Sequence, residues 1–304
     1  MDQFVLQKLR VENYRNLNPS VIEFSDGINC IFGKNGNGKT NLLEAIHYIL
    51  NRKSFRKNTS FEQLISVECE QPEIIFSSLF SFNEKFIPLS GKISSESSEW
   101  YLDNKSTKKK IGLESVFINP FDSFSFHTSA SFRRSWFDTY LGIISKEYKK
   151  TLSQFNSSLR FRNQLLSKKP NAFREQIMAN NPNLAHLSFQ LIRMRKIFLK
   201  ELKDYCALTF KIIFDEVHNL EIILDSKFEG YSEQDILNYY NESLQKDEII
   251  GHTRTGVQRD DYVFQFDGYN SYEYCSLGQQ KMSFLSLIFA YIELFRYKFS
   301  QRIS

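Results

Sequence analysis

The sequence predicts a mixed α/β domain interrupted by a long helical insert, and three changes of texture along the chain predict it. Residues 1 to about 120 alternate short apolar runs with turn residues, the pattern of strands, and hold one helix at 41–50. Residues 126–249 carry few Gly or Pro and show helical spacing throughout. From 250 onward strand alternation returns, and a last helix follows from 277 to about 296. An insert inside one α/β domain accounts for this order better than two domains in tandem.

Taken in order, the strands of the first part are 21–24, 28–32, 74–82 and 86–89. Ser94 to Ser98, with Lys105 and Lys108 to Lys110, reads as a solvated hairpin loop. In the insert, Leu184, Leu187, Leu191, Met194 and Phe198 recur at steps of three and four, an amphipathic stripe. After 250, Tyr262, Phe264 and Phe266 alternate as one face of a strand, and Asp267-Gly268 signals a type I′ hairpin turn. The last helix has Met282, Leu285, Ile288, Phe289, Ile292 and Phe295 for its apolar face.

Composition excludes several classes. With 304 residues, 41% hydrophobic and 24% charged, the chain has enough apolar surface for a proper core and is no disordered tail. Cys30, Cys69, Cys206 and Cys275 lie far apart with no CxxC pair, against a disulfide framework or zinc knuckle. The N-terminus has no apolar export segment, and the most apolar stretch, 284–295, is shorter than the roughly 20 residues that a spanning helix needs. A cytoplasmic home and no membrane partner are expected. The net charge of +4 permits a nucleic-acid partner without requiring one.

The strongest local signal is GKNGNGKT at 33–40, which fits GxxxxGK[ST]. The apolar run 28–32 before it reads as a strand, and the helix at 41–50 follows with Leu42, Ile46, Ile49 and Leu50 on one side. That strand–loop–helix order argues against a chance Gly-rich turn. Here glycines let backbone N–H groups curl toward phosphate oxygens, and the positive end of the helix faces the same charge. The expected nucleotide contacts are Gly33, Lys34, Asn35, Gly36, Asn37, Gly38, Lys39 and Thr40. Lys39 is assigned to the β- and γ-phosphates and the Thr40 hydroxyl to Mg²⁺, so a nucleoside triphosphate and Mg²⁺ are expected, and the loop alone does not choose between ATP and GTP.

A second motif narrows the class. YCSLGQQK at 274–281 opens the last helix, and Ser276 with Gln279 makes an S-x-x-Q capping box. A well-capped helix is one reading. With a phosphate loop upstream the other is favoured, an ABC-type signature in which Ser276, Gly278 and Gln279 meet ATP held by another subunit. The run Ile212-Ile213-Phe214-Asp215-Glu216 looks like a catalytic strand, but it precedes the signature and lies in a helical region. Phe210, Ile213, Phe214 and Val217 fall on one helix face, so it reads as a core helix.

Along its whole length the sequence resembles the bacterial RecF DNA replication and repair proteins, ABC-type ATPases related to chromosome-structural ATPase heads. The matching segments are NYRN at 13–16, GKNGNGKTNLLEAIHYI at 33–49, SFR at 54–56 and EQLI at 62–65. RRSWFD at 133–138 is similar to the family's RR-x-x-[LF]-D, RNQLL at 162–166 to RN-x-LL, and TGVQRDD at 255–261 to G-P-H-R-D-D. CSLGQQK at 275–281 resembles its S-x-G-Q-Q signature. Val257 and Gln258 stand where the family has Pro and His, and a less rigid loop is expected there.

The resemblance implies an ABC-type P-loop ATPase head of α/β class with a helical insert. Residues 1–125 are then the first part of the ATPase lobe, 126–249 the helical lobe and 250–304 the remainder with the signature. It further implies an ATP-sandwiched homodimer that closes on DNA gaps or single-strand/duplex junctions, with RecO- and RecR-type partners, in repair, replication restart and the SOS response. The family continues into a strand ending in Walker B Asp-Asp, which the sequence through Ser304 does not contain. ATP binding with little hydrolysis is therefore expected, no catalytic residue is assigned, and a hydrolysis-deficient ATP- and DNA-binding module is the alternative. A small-molecule kinase is disfavoured by the signature. Basic clusters at 52–57, 108–110, 133–134, 160–162, 168–169 and 193–196 read as solvated faces able to meet phosphates without base readout.

Overall fold

A computed structural model describes residues 4–56, 58–82, 85–109, 115–119, 121–214 and 217–299. The chain forms two compact units, 1–118 with 295–304, and 119–294.

The first unit is built on an antiparallel sheet. Its elements are β1 (Phe4–Glu12), β2 (Ile22–Glu23), α1 (Lys39–Asn51), α2 (Phe61–Leu64), β3 (Ile74–Phe82), β4 (Lys85–Ile93), β5 (Ser98–Leu102) and β6 (Lys105–Ser106). The strand order is β2-β1-β3-β4-β5-β6. Alternation sets the buried face: Ile74, Phe76, Ser78 and Phe80 of β3 turn inward, with Ser78 Oγ donating to the Leu89 carbonyl at 2.9 Å. Leu42, Ala45, Ile49 and Leu50 of α1 join Leu9, Val11, Phe76, Leu89 and Trp100 of the sheet in one core. The 94–97 turn joins β4 to β5, with Ser94 N bonded to Ser97 O at 2.8 Å.

The segment 28–32 is not a strand. It pairs with no other strand among the described residues, and Ile28 and Phe32 are 92% and 88% exposed. Apolar side chains alone do not make a strand, because the backbone ladder needs a neighbour.

The second unit contains α3 (Asp122–Thr128), α4 (Ala130–Ile144), α5 (Lys146–Lys168), α6 (Phe173–Ile213), β7 (Leu220–Asp225), α7 (Glu233–Glu242) and α8 (Leu244–Ile250). A 3₁₀ turn at Val257–Arg259 leads to β8 (Asp261–Phe266), β9 (Tyr269–Asn270), α9 (Ser271–Tyr274) and α10 (Leu277–Phe299), whose last residues group with the first unit. Ser129 and Ser145 cap α4 and α5 by accepting from the N–H three residues on. At 1.5 Å per residue α6 is about 60 Å long, and its Leu184, Leu187, Leu191 and Phe198 are buried as the stripe required.

Strand β7 breaks the expected helical run. It pairs antiparallel with β8, so the returning strand has its partner inside the insert. Helix α6 stops at Ile213 and Val217 is exposed, so the proposed helix face ends with Phe210 and the half-exposed Ile213; Asp215 and Glu216 lie outside the described residues. Asp267 and Gly268 have φ of 49° and 84°, the signs a type I′ turn needs. On α10 the buried apolar residues are Phe284, Leu287, Ile288, Ala290, Tyr291, Leu294 and Phe295, joined by Gln280, Ser283 and Ser286, while Phe289 is exposed. The two serines fit a buried face because each donates to the carbonyl four residues back, Gln279 and Met282.

Gly91 marks the tightest point of the first core. A Cβ there would lie 2.4 Å from the Glu99 carbonyl oxygen and 2.7 Å from the Phe76 ring, which packs on Trp100. Gly91→Ala is expected to lower stability by about 1–3 kcal/mol through overpacking. The urea midpoint checks it, and an unchanged midpoint would contradict the packing described.

Candidate functional site

The 33–40 loop owes its shape to glycine and its position to two asparagines and an arginine. Gly36 and Gly38 have φ of 87° and 81°, where a Cβ is strained, and a Cβ on Gly38 would also come within 3.0 Å of Asn16 Oδ1. Lys39 opens α1, and its Nζ donates to the carbonyls of Gly33 and Lys34, both at 2.8 Å. Asn16 Nδ2 donates to the Gly36 carbonyl at 2.8 Å, Asn41 Nδ2 to Asn16 Oδ1 at 2.7 Å, and Arg56 to Asn41 Oδ1 at 2.7 Å. A recess of about 310 Å³ opens here, lined by Asn35, Gly36, Gly38, Lys39, Thr40, Asn41 and Arg56. The N-cap of α1 is Gly38, and no side-chain cap hydrogen bond is made to its first N–H groups among the described residues.

Behind this recess lies a carboxylate that sequence reasoning had assigned no role. Glu44 is fully buried in α1. Arg15 grips it through two bonds of 2.6 and 3.0 Å, Ser54 Oγ donates to it at 2.5 Å, and Arg56 stands 3.6 Å away. Burying a lone carboxylate costs several kcal/mol, so its cationic partners are obligatory. The signal was present: Glu44 sits between Leu42 and Ala45, inside the buried stripe of the helix. A charge in that position demands a partner brought from elsewhere in the chain. The NYRN and SFR segments supply both.

In the second unit the capping box at the signature is formed as expected. Ser276 N donates to Gln279 Oε1 at 2.8 Å, and Gln279 N to Ser276 Oγ at 3.3 Å. Ser276, Leu277 and Gly278 are exposed. Gln280 turns inward, and its amide donates to the carbonyls of Ser271, Tyr272 and Cys275 at 3.2–3.4 Å. The Gln280 carbonyl accepts from His127 Nε2 at 3.0 Å, and Ser271 Oγ lies 3.2 Å from His127 Nδ1.

Several basic clusters are not solvated faces. Arg162 is buried on Asp247 (2.8 Å) and Thr253 (2.6 Å), while Asn163 Oδ1 accepts from Thr253 N. Arg195 is buried among Asp260 (2.8 Å), Asp138 (3.0 Å), Tyr148 and the Val257 carbonyl. Arg133 makes two 2.7 Å bonds to Asp261, and Arg134 donates to the Asp260 carbonyl at 3.0 Å. Arg52 sits 4.5 Å over the Trp100 ring and donates to the carbonyls of Thr107, Lys108 and Lys109. These arginines hold the loop 253–261 and the end of α1, so charge runs in the sequence were internal ties. Loop 255–261 is pinned in this way, with Val257 fully buried. Lys57 and Lys110 lie outside the described residues. No helix among the described residues is long and apolar enough to cross a membrane.

Residues 5–300 match the family model described as RecF/RecN/SMC N terminal domain. The DNA replication and repair protein RecF of Alkaliphilus oremlandii (strain OhILAs) is 31% identical over 303 residues, covering 95% of this chain and 82% of that protein. The protein of the same name from Caldanaerobacter subterraneus subsp. tengcongensis is 30% identical over 304 residues, with the same shares covered. Among solved structures, the recombination mediator protein RecF with ATP, of the RecFOR pathway, superposes with a TM-score of 0.83 at 25% identity, over 99% of this chain and 83% of that one. The Smc head domain of Pyrococcus furiosus shares the fold, with a TM-score of 0.52 at 13% identity, over 96% of this chain and 79% of that one.

Burial lowers the His127 pKa from its ordinary 6.5 to about 4, outweighing the bond to the Gln280 carbonyl. The folded state thus resists a proton that the unfolded chain accepts, and stability falls as pH drops from 6.5 toward 4. Asp260, raised by burial to about 6, titrates with the opposite sign over much of that window. The comparison with His127→Gln isolates the histidine. Wild type should lose stability relative to the variant on acidification, by at most about 1.4 kcal/mol per pH unit. Parallel stability curves between pH 7.5 and 4.5 would contradict a neutral buried His127.

Proposed function

Because the chain belongs to the RecF/RecN/SMC N-terminal domain family, and within it to the RecF proteins, we propose that it is an ATP-dependent DNA-binding protein of recombinational repair and replication restart. The observation that carries this is the phosphate loop held ready by the Glu44 network, with Lys39 already turned onto the loop's carbonyls. Residues Gly33, Lys34, Asn35, Gly36, Asn37, Gly38, Lys39 and Thr40 would hold the polyphosphate. Its oxygens would replace the Gly33 and Lys34 carbonyls as acceptors for Lys39 Nζ. Arg56, on the recess wall, would add a second cation, and the Thr40 hydroxyl would hold Mg²⁺, which would neutralise phosphate charge.

Ser276, Gly278 and Gln279 are the second nucleotide contact, supplied to the ATP of another copy. Ser276 and Gly278 are exposed, and the capping box fixes their turn. Two copies would therefore pair around ATP and close on DNA, and RecO- and RecR-type proteins are the partners proposed from the RecFOR pathway named for the structural neighbour. With several arginines committed internally, the cations left for DNA include Arg160, Lys168 and Lys169, which are exposed. Arg160 and Lys168 border an open groove of about 440 Å³ with Asn156, Asn163 and Gln164. Such a surface meets phosphates and reads no bases.

Lys39→Ala is expected to weaken ATP binding by about 1.5–3 kcal/mol, the value of a charge-assisted contact, with an unchanged melting curve. Calorimetry with ATP decides it, and wild-type affinity in the folded variant would refute the phosphate-loop assignment.

DNA affinity is expected to fall steeply with salt and to vary little with sequence. Contacts to about four phosphates would give a log–log slope near −3.6. A flat titration, or one preferred sequence at fixed salt, would exclude backbone-dominated binding.

A further inference from the structure

We propose that His127 is a positioning residue for the signature segment, holding the turn before α10 in the form that presents Ser276 and Gly278 to the nucleotide of a second copy. This rests on the reading of Ser276, Gly278 and Gln279 as that nucleotide contact.

The geometry assigns the ring. A carbonyl can only accept, so the 3.0 Å contact to Gln280 O places the proton on Nε2. Nδ1 is then the acceptor for the Ser271 hydroxyl at 3.2 Å. One imidazole thereby ties together the two ends of the 271–280 segment. The Gln280 side chain ties the same segment from within through the carbonyls of Ser271, Tyr272 and Cys275. The Gln280 N–H also donates to the Ser276 carbonyl at 2.9 Å, so the turn carrying the exposed Ser276 and Gly278 is held by these bonds together with the capping box.

The ring itself is anchored. Arg133 donates to the carbonyls of Phe126 and His127 at 2.6 and 2.9 Å and is locked onto Asp261 by two bonds. A rigid path therefore runs from β8 through Arg133 and His127 to α10. The surroundings are apolar and aromatic, with Phe126 and Phe264 at 6.0 and 5.5 Å between ring centroids. A phenylalanine would fill that space without the cost of burying a polar ring, so packing alone does not account for a histidine here. Two directed bonds do.

The test measures pairing and nucleotide affinity separately on the full chain: sedimentation velocity with Mg²⁺ and ATPγS, and calorimetry with the same nucleotide. His127→Phe keeps the shape and removes both bonds. It should leave nucleotide affinity at the phosphate loop unchanged and weaken nucleotide-dependent pairing about tenfold, the order expected for the lost bonds. His127→Gln restores a donor and an acceptor and should recover most of the pairing. Ser271→Ala removes only the second bond and should weaken pairing less, about threefold; it carries the test if His127→Phe does not fold. Ser276→Arg blocks the signature directly and should abolish pairing.

If Ser276→Arg abolishes pairing while His127→Phe, or Ser271→Ala in its place, pairs like wild type, the proposal is overturned and the signature reading stands. Failure of His127→Gln to recover pairing would show a role for shape and also overturn it. Normal pairing by Ser276→Arg removes the signature reading and this proposal together.

Discussion

A carboxylate sealed from solvent organises the end of the first unit that carries the GKNGNGKT loop. Glu44 has no exposed surface, so Arg15 and Ser54 must come to it and Arg56 must stay near. Each partner brings its own stretch of chain. The turn carrying Arg15 places Asn16 on the Gly36 carbonyl, and Arg56 holds Asn41, which in turn holds Asn16. The curl of the phosphate loop is thus set by glycine conformations locally and by one buried charge at a distance. Asn13 and Arg15 sit at φ of 58° and 48°, uncommon for non-glycine residues, and the bonds they make hold the turn there.

The second unit uses the same device twice. Arg162 and Arg195 are both buried, and each meets an aspartate from the other end of the unit's sequence, Asp247 and Asp260. Buried pairs of this kind are poor sources of net stability against an apolar core, but removing one partner strands the other. Their effect is to specify arrangement: the loop 253–261 has one place to go because four arginines and Asn163 hold its backbone, its acids and the Thr253 hydroxyl.

Much of this was legible beforehand, and the limits follow from physics. The glycine turns of the 33–40 loop, helix α1, the stripe of α6, strand β8 with its turn, and the capping box at Ser276 depend on neighbours within a few residues, and local rules found them. Ile28 to Phe32 failed because strand formation depends on a partner strand, which apolar content does not encode. Strand β7 was missed because LEIILD at 220–225 lacks the strict alternation that marked β8, and its partner lies about forty residues on. The basic clusters misled for a related reason. Arg133, Arg162 and Arg195 look like surface charge until their acids, 57 to 128 residues away, come into contact. In the helix at 41–50 the apolar face was read correctly, but the glutamate inside it carried the more telling information.

The unpaired stretch leading into the phosphate loop has a practical side. Cys30 lies in it, exposed and free, three residues before Gly33. Cys206 is buried, and burial pushes its thiol up to about 12. A maleimide dye at neutral pH will therefore react at Cys30 far faster than at Cys206. With Cys69 and Cys275 replaced by serine, the natural sequence offers an optical reporter at the threshold of the 33–40 loop, with no cysteine introduced.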